Sequence, residues 1–95
     1  MLRTNDMISY ICRVCGFDNS VLFDEDCPPW KENSGSFEYC GCCGVQFGYQ
    51  DVNVESIRKY RLKWFENILK WNIPESKPDD WNPVKQISNI SEEFI

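Results

Sequence analysis

The side chains in this sequence best suited to chemistry are its thiols: there are six cysteines and no histidine. Cys12-Arg13-Val14-Cys15-Gly16 and Cys40-Gly41-Cys42-Cys43-Gly44 form two Cys-x2-Cys-Gly turns with 24 residues between them. Two residues between cysteines let both sulfurs reach one ion. The following glycine permits the positive φ that turns backbone N–H groups toward sulfur. Such contacts spread the charge of thiolates crowded around a divalent ion. With no histidine available, the natural closure is an all-sulfur tetrahedron of Cys12, Cys15, Cys40 and Cys43 around one structural Zn2+. Cys42 is a poorer ligand than Cys43, because a Cys40–Cys42 pair leaves a single residue between sulfurs. Cys42 and Cys27 read as small buried or loop thiols, and no histidine is present to act as a base toward either. A closed four-thiolate zinc has no open position for water, so the site carries no case for catalysis.

The elements that must position these cysteines follow from the pattern around them. Ser20–Asp24 reads as a short strand, followed by an acidic, proline-rich loop over 24–35 that carries Pro28-Pro29-Trp30. The tryptophan after two prolines is expected to plug the edge of a small core. Phe37 and Tyr39, then Val45, Phe47 and Tyr49, alternate with polar residues or glycine on either side of the second cysteine turn. That is period two, and predicts a hairpin with cysteines at its tip. A helix is predicted over 52–71, capped by Asp51 or Asn53, because Ile57, Tyr60, Trp64, Ile68 and Trp71 recur at three- and four-residue steps. Leu62, Phe65 and Leu69 widen its apolar arc to about half the circumference, so something besides the hairpin must cover it. The tail over 72–95 contains Pro74, Pro78 and Pro83 and cannot extend the helix. It is expected to wrap back with Trp81 as anchor, and Asn82-Pro83 begins a short second helix through Ile90 that presents Val84, Ile87 and Ile90. The fold class is therefore small α+β: a zinc-ribbon hairpin packed on one long amphipathic helix. Residues 1–95 make one domain, divided into a metal-binding ribbon (12–50), a helix (52–71) and a wrapping tail (72–95).

A chain of 95 residues buries a modest share of its surface, so a metal or covalent staple helps it fold. The N-terminal residues lack the apolar run of a signal peptide and are expected to be loose, with Met7 as an alternative start. Nothing approaches a membrane span, so a cytoplasmic setting is expected. In a reducing compartment a cysteine framework points to metal rather than to disulfides. The formal charge is −5, and four thiolates with one divalent ion take it to −7, a poor overall match for nucleic acid. The charge is uneven, however. Residues 52–71 hold Arg58, Lys59, Arg61, Lys63 and Lys70 against Glu55 and Glu66, giving +3 there and −8 elsewhere. Arg58 and Arg61 fall inside the apolar arc. Their stems are expected to pack on aromatics while their heads pair with Asp79, Asp80 or the 24–26 acidic run.

One run of residues resembles a known group. The run comprises Cys-x2-Cys-Gly-Phe at 12–17, Pro28-Pro29-Trp30, Ser-Phe-Glu-Tyr-Cys-Gly-Cys-Cys-Gly-Val-Gln-Phe-Gly-Tyr-Gln-Asp at 36–51, Arg61-Leu62-Lys63-Trp64 and Trp81-Asn82-Pro83. Over residues 12–87 the chain resembles small, largely uncharacterised bacterial cysteine-rich proteins whose second turn is of Cys-Pro-Cys-Cys type. The resemblance implies the metal site on Cys12, Cys15, Cys40 and Cys43 and brings no activity. Arg13 and Gly41 stand where proline is usual, and Cys27 is additional. Small proteins of this kind can lie near toxin systems, which by analogy suggests an immunity role. The leading expectation is thus a non-enzymatic protein-interaction module, such as an inhibitor of a basic toxin steered by opposed charge. The alternatives are a nucleic-acid-associated zinc ribbon using the basic helix face and a rubredoxin-like iron electron carrier. The latter would be complete in about half this length and would leave the helix and tail without a role.

Overall fold

Two cysteine turns with the same hydrogen-bond pattern hold this molecule together at its centre. A computed structural model describes residues 8–95, so the expectations about the first seven residues lie outside it. In the first turn the Cys12 N–H donates to the Phe17 carbonyl and the Gly16 N–H to the Cys12 carbonyl; in the second, Cys40 donates to Val45 and Gly44 to Cys40. Single antiparallel bridges, Ile11 with Asp18 and Tyr39 with Gln46, close the two loops. Gly16 and Gly44 have φ of +84° and +81°, the left-handed conformation expected of the glycine after each cysteine pair.

The regular sheet lies elsewhere than the alternation over 36–50 suggests. Strands β1 (Ile8–Ser9), β2 (Trp30–Lys31) and β3 (Ser34–Gly35) form a three-stranded antiparallel sheet in that order, with Ser9 opposite Trp30 and Trp30 opposite Gly35. The second cysteine turn keeps only its single bridge. Phe37 sits at a φ of +66°, which interrupts the extended run just after β3. The alternation is real where the core uses it: Val45 and Phe47 are fully buried, as is Pro29, and Trp30 is nearly so. The expected strand over 20–24 is instead a 3-10 turn over Asn19–Val21, because the Asp18 side chain accepts the Ser20 N–H and curls the backbone.

Helix α1 (Val54–Glu66) is capped by Asn53, whose side chain accepts the Ser56 N–H. Asp51, the other candidate cap, is buried and accepts from the Trp30 indole and the Gly48 N–H. The helix stops five residues short of Trp71. Ile68 and Leu69 both take positive φ, and the Leu69 N–H returns to the Trp64 carbonyl in a left-handed exit. The three-and-four spacing that placed Ile68 and Trp71 on one helical face is therefore broken there, and Ile68 is 88% exposed. Leu62 and Phe65 also face solvent, so the buried arc is narrower than the sequence pattern implies and rests on Ile57 and Trp64.

The reversal brings the chain back across the second cysteine turn. Asn72 and Ile73 donate their N–H groups to the carbonyls of Cys42 and Gly41, and the Asn72 side chain donates to Cys40. Beyond it, Trp81 packs edge-on against Trp71 at 5.3 Å and near Trp64 at 6.5 Å, while Phe17 meets Trp71 at 5.1 Å. The wrapping tail anchored by Trp81 is thus present. Helix α2 (Pro83–Ile87) begins as expected, with Asn82 accepting the Lys85 N–H and proline at the first helical position. It is shorter than expected and buries Gln86 while leaving Val84 exposed; Ile90, three residues beyond its end, is also buried.

Candidate metal centre

All four predicted ligands converge. The Sγ atoms of Cys12, Cys15, Cys40 and Cys43 lie within 4.8 Å of one another, and all four residues are buried. Two of the edges, Cys12 to Cys43 and Cys15 to Cys40, measure 3.7 Å and join one turn to the other. Zinc–sulfur bonds of about 2.3 Å in a tetrahedron give sulfur separations of about 3.8 Å, which these two edges match. None of the six thiols is in a disulfide.

Protein donors reach the sulfurs in a repeated pattern. Val14 N–H points to Cys12 Sγ and Cys42 N–H to Cys40 Sγ, each at 3.4 Å. These donors come from the middle of each turn rather than from the glycines, whose own N–H groups bond the carbonyl of the first cysteine. The Asn19 side chain adds a further donor to Cys40 Sγ at 3.5 Å, while its oxygen accepts the Gly41 N–H at 3.0 Å. That last bond accounts for one departure from the proline-bearing pattern. Proline at 41 would have no N–H to give Asn19, and even a Cβ there would come within 2.4 Å of the Leu22 side chain.

The electrostatics fit a divalent ion. Burial pushes the Cys15 and Cys43 thiols well above the usual thiol range, and Cys12 upward as well. Cys40 goes the other way. Burial opposes its ionisation, but hydrogen bonds with Cys12, Cys15, Cys43 and Asn19 favour the thiolate and bring it well below the usual range. Burial thus favours the protonated form of three of the four thiols, and ionising all four in so dry a site would need a cation at their centre, for which a closed all-thiolate set is donor chemistry that zinc or iron takes.

Cys42 stands apart from the set. A shift of 28 positions superposes the turns, Cys12 on Cys40 and Cys15 on Cys43, and puts Cys42 on the position of Val14; both are fully buried wall residues. Its sulfur receives a hydrogen bond from the Gln86 side chain at 3.4 Å. Cys27 lies exposed in a turn, its N–H bonded to Asp24.

Several positioning residues carry no signal in cysteine spacing. Gln86 ties α2 to the first turn by donating to the Cys15 carbonyl at 3.1 Å, and its oxygen accepts the Trp81 indole at 2.8 Å. Arg61 reaches from α1 to the Val14 and Arg13 carbonyls at 2.7 and 3.0 Å. The expected pairing of Arg58 and Arg61 with Asp79, Asp80 or residues 24–26 is not what the structure shows. Arg61 also bonds the Phe94 main-chain oxygen and Arg58 reaches that of Ile95 through Nε, so both arginines find main-chain oxygens of the turn and tail in place of the expected carboxylates.

Two proteins of Bacillus subtilis strain 168, each described only as uncharacterized, are similar in sequence. YozI is 28% identical over 85 residues, covering 75% of this chain and 69% of YozI. YoaQ is 29% identical over 86 residues, covering 75% of this chain and 70% of YoaQ. No family model and no solved structure matches the chain.

Proposed function

We propose that Cys12, Cys15, Cys40 and Cys43 hold one zinc ion that staples the fold, and that the stapled chain is a non-enzymatic protein-binding module. The convergence of four buried sulfurs from two matching turns carries the first half of the proposal. A closed site of this kind supplies folding energy and no open coordination position, which supports a structural ion over a catalytic one.

The binding half rests on what the second cysteine turn displays. Phe37, Tyr39 and Tyr49 are 57%, 51% and 67% exposed on the arms that flank it, while Val45 and Phe47 between them are buried. Exposed tyrosine and phenylalanine on a rigid support are what protein interfaces favour. The net charge of −5 suits a basic partner such as a cationic toxin. The test is affinity capture from the native host with the intact protein and with Phe37, Tyr39 and Tyr49 replaced together by serine. The expected result is one protein retained by the first and lost with the second, and then reconstituted from purified components. Loss of nothing on substitution would remove these aromatics from the proposal.

A second function has one observation in its favour. A concave surface of about 760 Å³ beside the metal centre is lined by Gln50, Tyr60, Lys63, Asn67 and Lys70, and a neighbouring hollow of about 380 Å³ adds Tyr49 and Lys59. Lysines interleaved with tyrosines suit a single nucleic-acid strand. Glu66 lines the same surface, and the carbonyl end of α1 with the nearby thiolates opposes an anion there. Retention on single-stranded DNA or RNA that falls steeply with salt would favour this second function over the first.

A further inference from the structure

We infer that Arg13, Trp30, Arg58 and Arg61 form a peptide-binding cradle for an acidic segment with one aromatic side chain, filled in cis by residues 91–95 and exchangeable for such a segment of a partner protein. The inference rests on the protein-binding proposal but uses a different surface from the hairpin aromatics.

The cradle is built by the first cysteine turn, β2 and α1 together. The Arg13 guanidinium lies between two rings, 3.6 Å from the Trp30 centroid and 4.2 Å from that of Phe94. Arg61 holds the first cysteine turn with two of its bonds and gives a third, at 2.8 Å, to the Phe94 carbonyl. Arg58 donates to the Ile95 carbonyl at 2.7 Å. The bound segment is thus gripped through one ring and two main-chain oxygens. A ring and backbone oxygens are features that any peptide with a correctly placed aromatic offers, which is how grooves recognise peptides in general.

Charge specifies the class of peptide. Three guanidiniums gather on this face. The segment they hold reads Ser91-Glu92-Glu93-Phe94-Ile95, with both glutamates exposed. The Glu93 carboxylate is engaged by its neighbour Ser91 at 3.3 Å. Arg58 is exposed and uses its Nε toward Ile95. Its terminal nitrogens are the donors that a better-placed carboxylate on an incoming segment would take.

The cis segment is suited to exchange. It is a three-residue 3-10 turn, Glu92–Phe94, in which only the Phe94 side chain is half-buried; the last fully anchored residue before it is Ile90. A tethered segment held this lightly competes with an outside one at high effective concentration, so it lowers the apparent affinity for a partner until it is displaced.

The test is fluorescence anisotropy with a labelled synthetic peptide, Ser-Asn-Ile-Ser-Glu-Glu-Phe-Ile, titrated with the full zinc-loaded chain. Phe94→Ala weakens the cis contact and should tighten peptide binding by about tenfold over wild type. Adding Arg58→Ala, a change at an exposed side chain, should reverse that gain, and a peptide with alanine for phenylalanine should not bind. Absence of binding to a folded Phe94→Ala chain, or equal affinity of that chain and wild type, would overturn the inference. As a measurement free of variants, saturating peptide should shift the amide resonances of residues 91–95 of the wild-type chain toward random-coil values, and unchanged resonances would also overturn it. A wild-type dimer abolished by Arg58→Ala would make a second copy the occupant and overturn the assignment to a partner protein. None of these failures bears on the exposed aromatics of the hairpin.

Discussion

Replacing Trp81 with alanine removes the ring that covers the C-terminal side of α1. In the native protein that ring meets Trp71 edge-on at 5.3 Å and Trp64 at 6.5 Å, and its indole donates to Gln86 at 2.8 Å. Truncating a fully buried tryptophan costs about 3–5 kcal/mol. Trp81 is half-buried, which reduces that figure, whereas the two aromatic contacts, at about 0.5–1.5 kcal/mol each, offset part of the reduction. The expected loss is therefore roughly 2–4 kcal/mol. Trp81→Phe keeps most of the ring and leaves Gln86 without its donor, so it should lose about 1 kcal/mol. The assay is urea unfolding of the zinc-loaded protein followed by far-UV circular dichroism at fixed free zinc, since metal in excess of the folded protein would otherwise shift the midpoint. A loss below about 1 kcal/mol for Trp81→Ala would refute the placement of Trp81 as the anchor of the tail. Equal losses for the two variants would show that the indole hydrogen bond, and not the ring, is what matters.

Three further outcomes follow from the centre and its surroundings. Cys43→Ser should abolish tight zinc retention in a competition with a chromogenic chelator, whereas Cys42→Val, which copies Val14 of the first turn, should retain it; the reverse order would mean the second turn uses Cys42. Asn19→Leu should leave the Gly41 N–H without its partner and Cys40 Sγ with the Cys42 N–H but not the Asn19 donor, lowering zinc affinity by about tenfold in the same competition, and an unchanged affinity would make Asn19 a packing residue only. Asp51→Asn should destabilise the protein by about 1–3 kcal/mol, because the Trp30 indole and the Gly48 N–H bond different carboxylate oxygens, and an amide sets its NH2 against one of them. Burial lifts the Asp51 carboxyl above its ordinary value despite those two bonds. Its own contribution to stability is therefore complete below the unfolded-state pKa and falls as pH rises through the higher folded value, so the penalty of Asp51→Asn should shrink across that window in thermal melts, and growth with pH would contradict the sign.

The chemistry-bearing part of this molecule was legible because its constraints are local. A Cys-x2-Cys-Gly turn needs only its own few residues, and both turns form with the same bonds and the same left-handed glycine. Asn53 and Asn82 as helix caps are local in the same way. The alternation around the second turn groups Phe37, Tyr39 and Tyr49 with Val45 and Phe47, but only the last two are buried; a period of two does not report that Phe37 leaves the extended region, nor which members of the set the core will cover. The end of α1 was hidden for a related reason: Trp71 sits at helical spacing from Trp64, but tertiary bonds from Asn72 and Ile73 to the second turn draw the chain off the helix first. Asn19, Gln86 and Arg61 were illegible because each acts across 21 or more residues, and an isolated polar side chain gives no sign of the partner it will meet. The two arginines illustrate the cost of reading charge alone. Carboxylates were the obvious partners in an acidic chain, and main-chain carbonyls took their place.

Four-thiolate zinc binding is tested most directly by native mass spectrometry of the protein purified under reducing conditions, paired with elemental analysis of the same sample. The expected result is one zinc per chain with all six thiols reduced, and complete release of the ion when the chain is denatured in acid, because protons then compete for the thiolates. Stoichiometric iron, or a metal-free chain with its cysteines paired as disulfides, would contradict it.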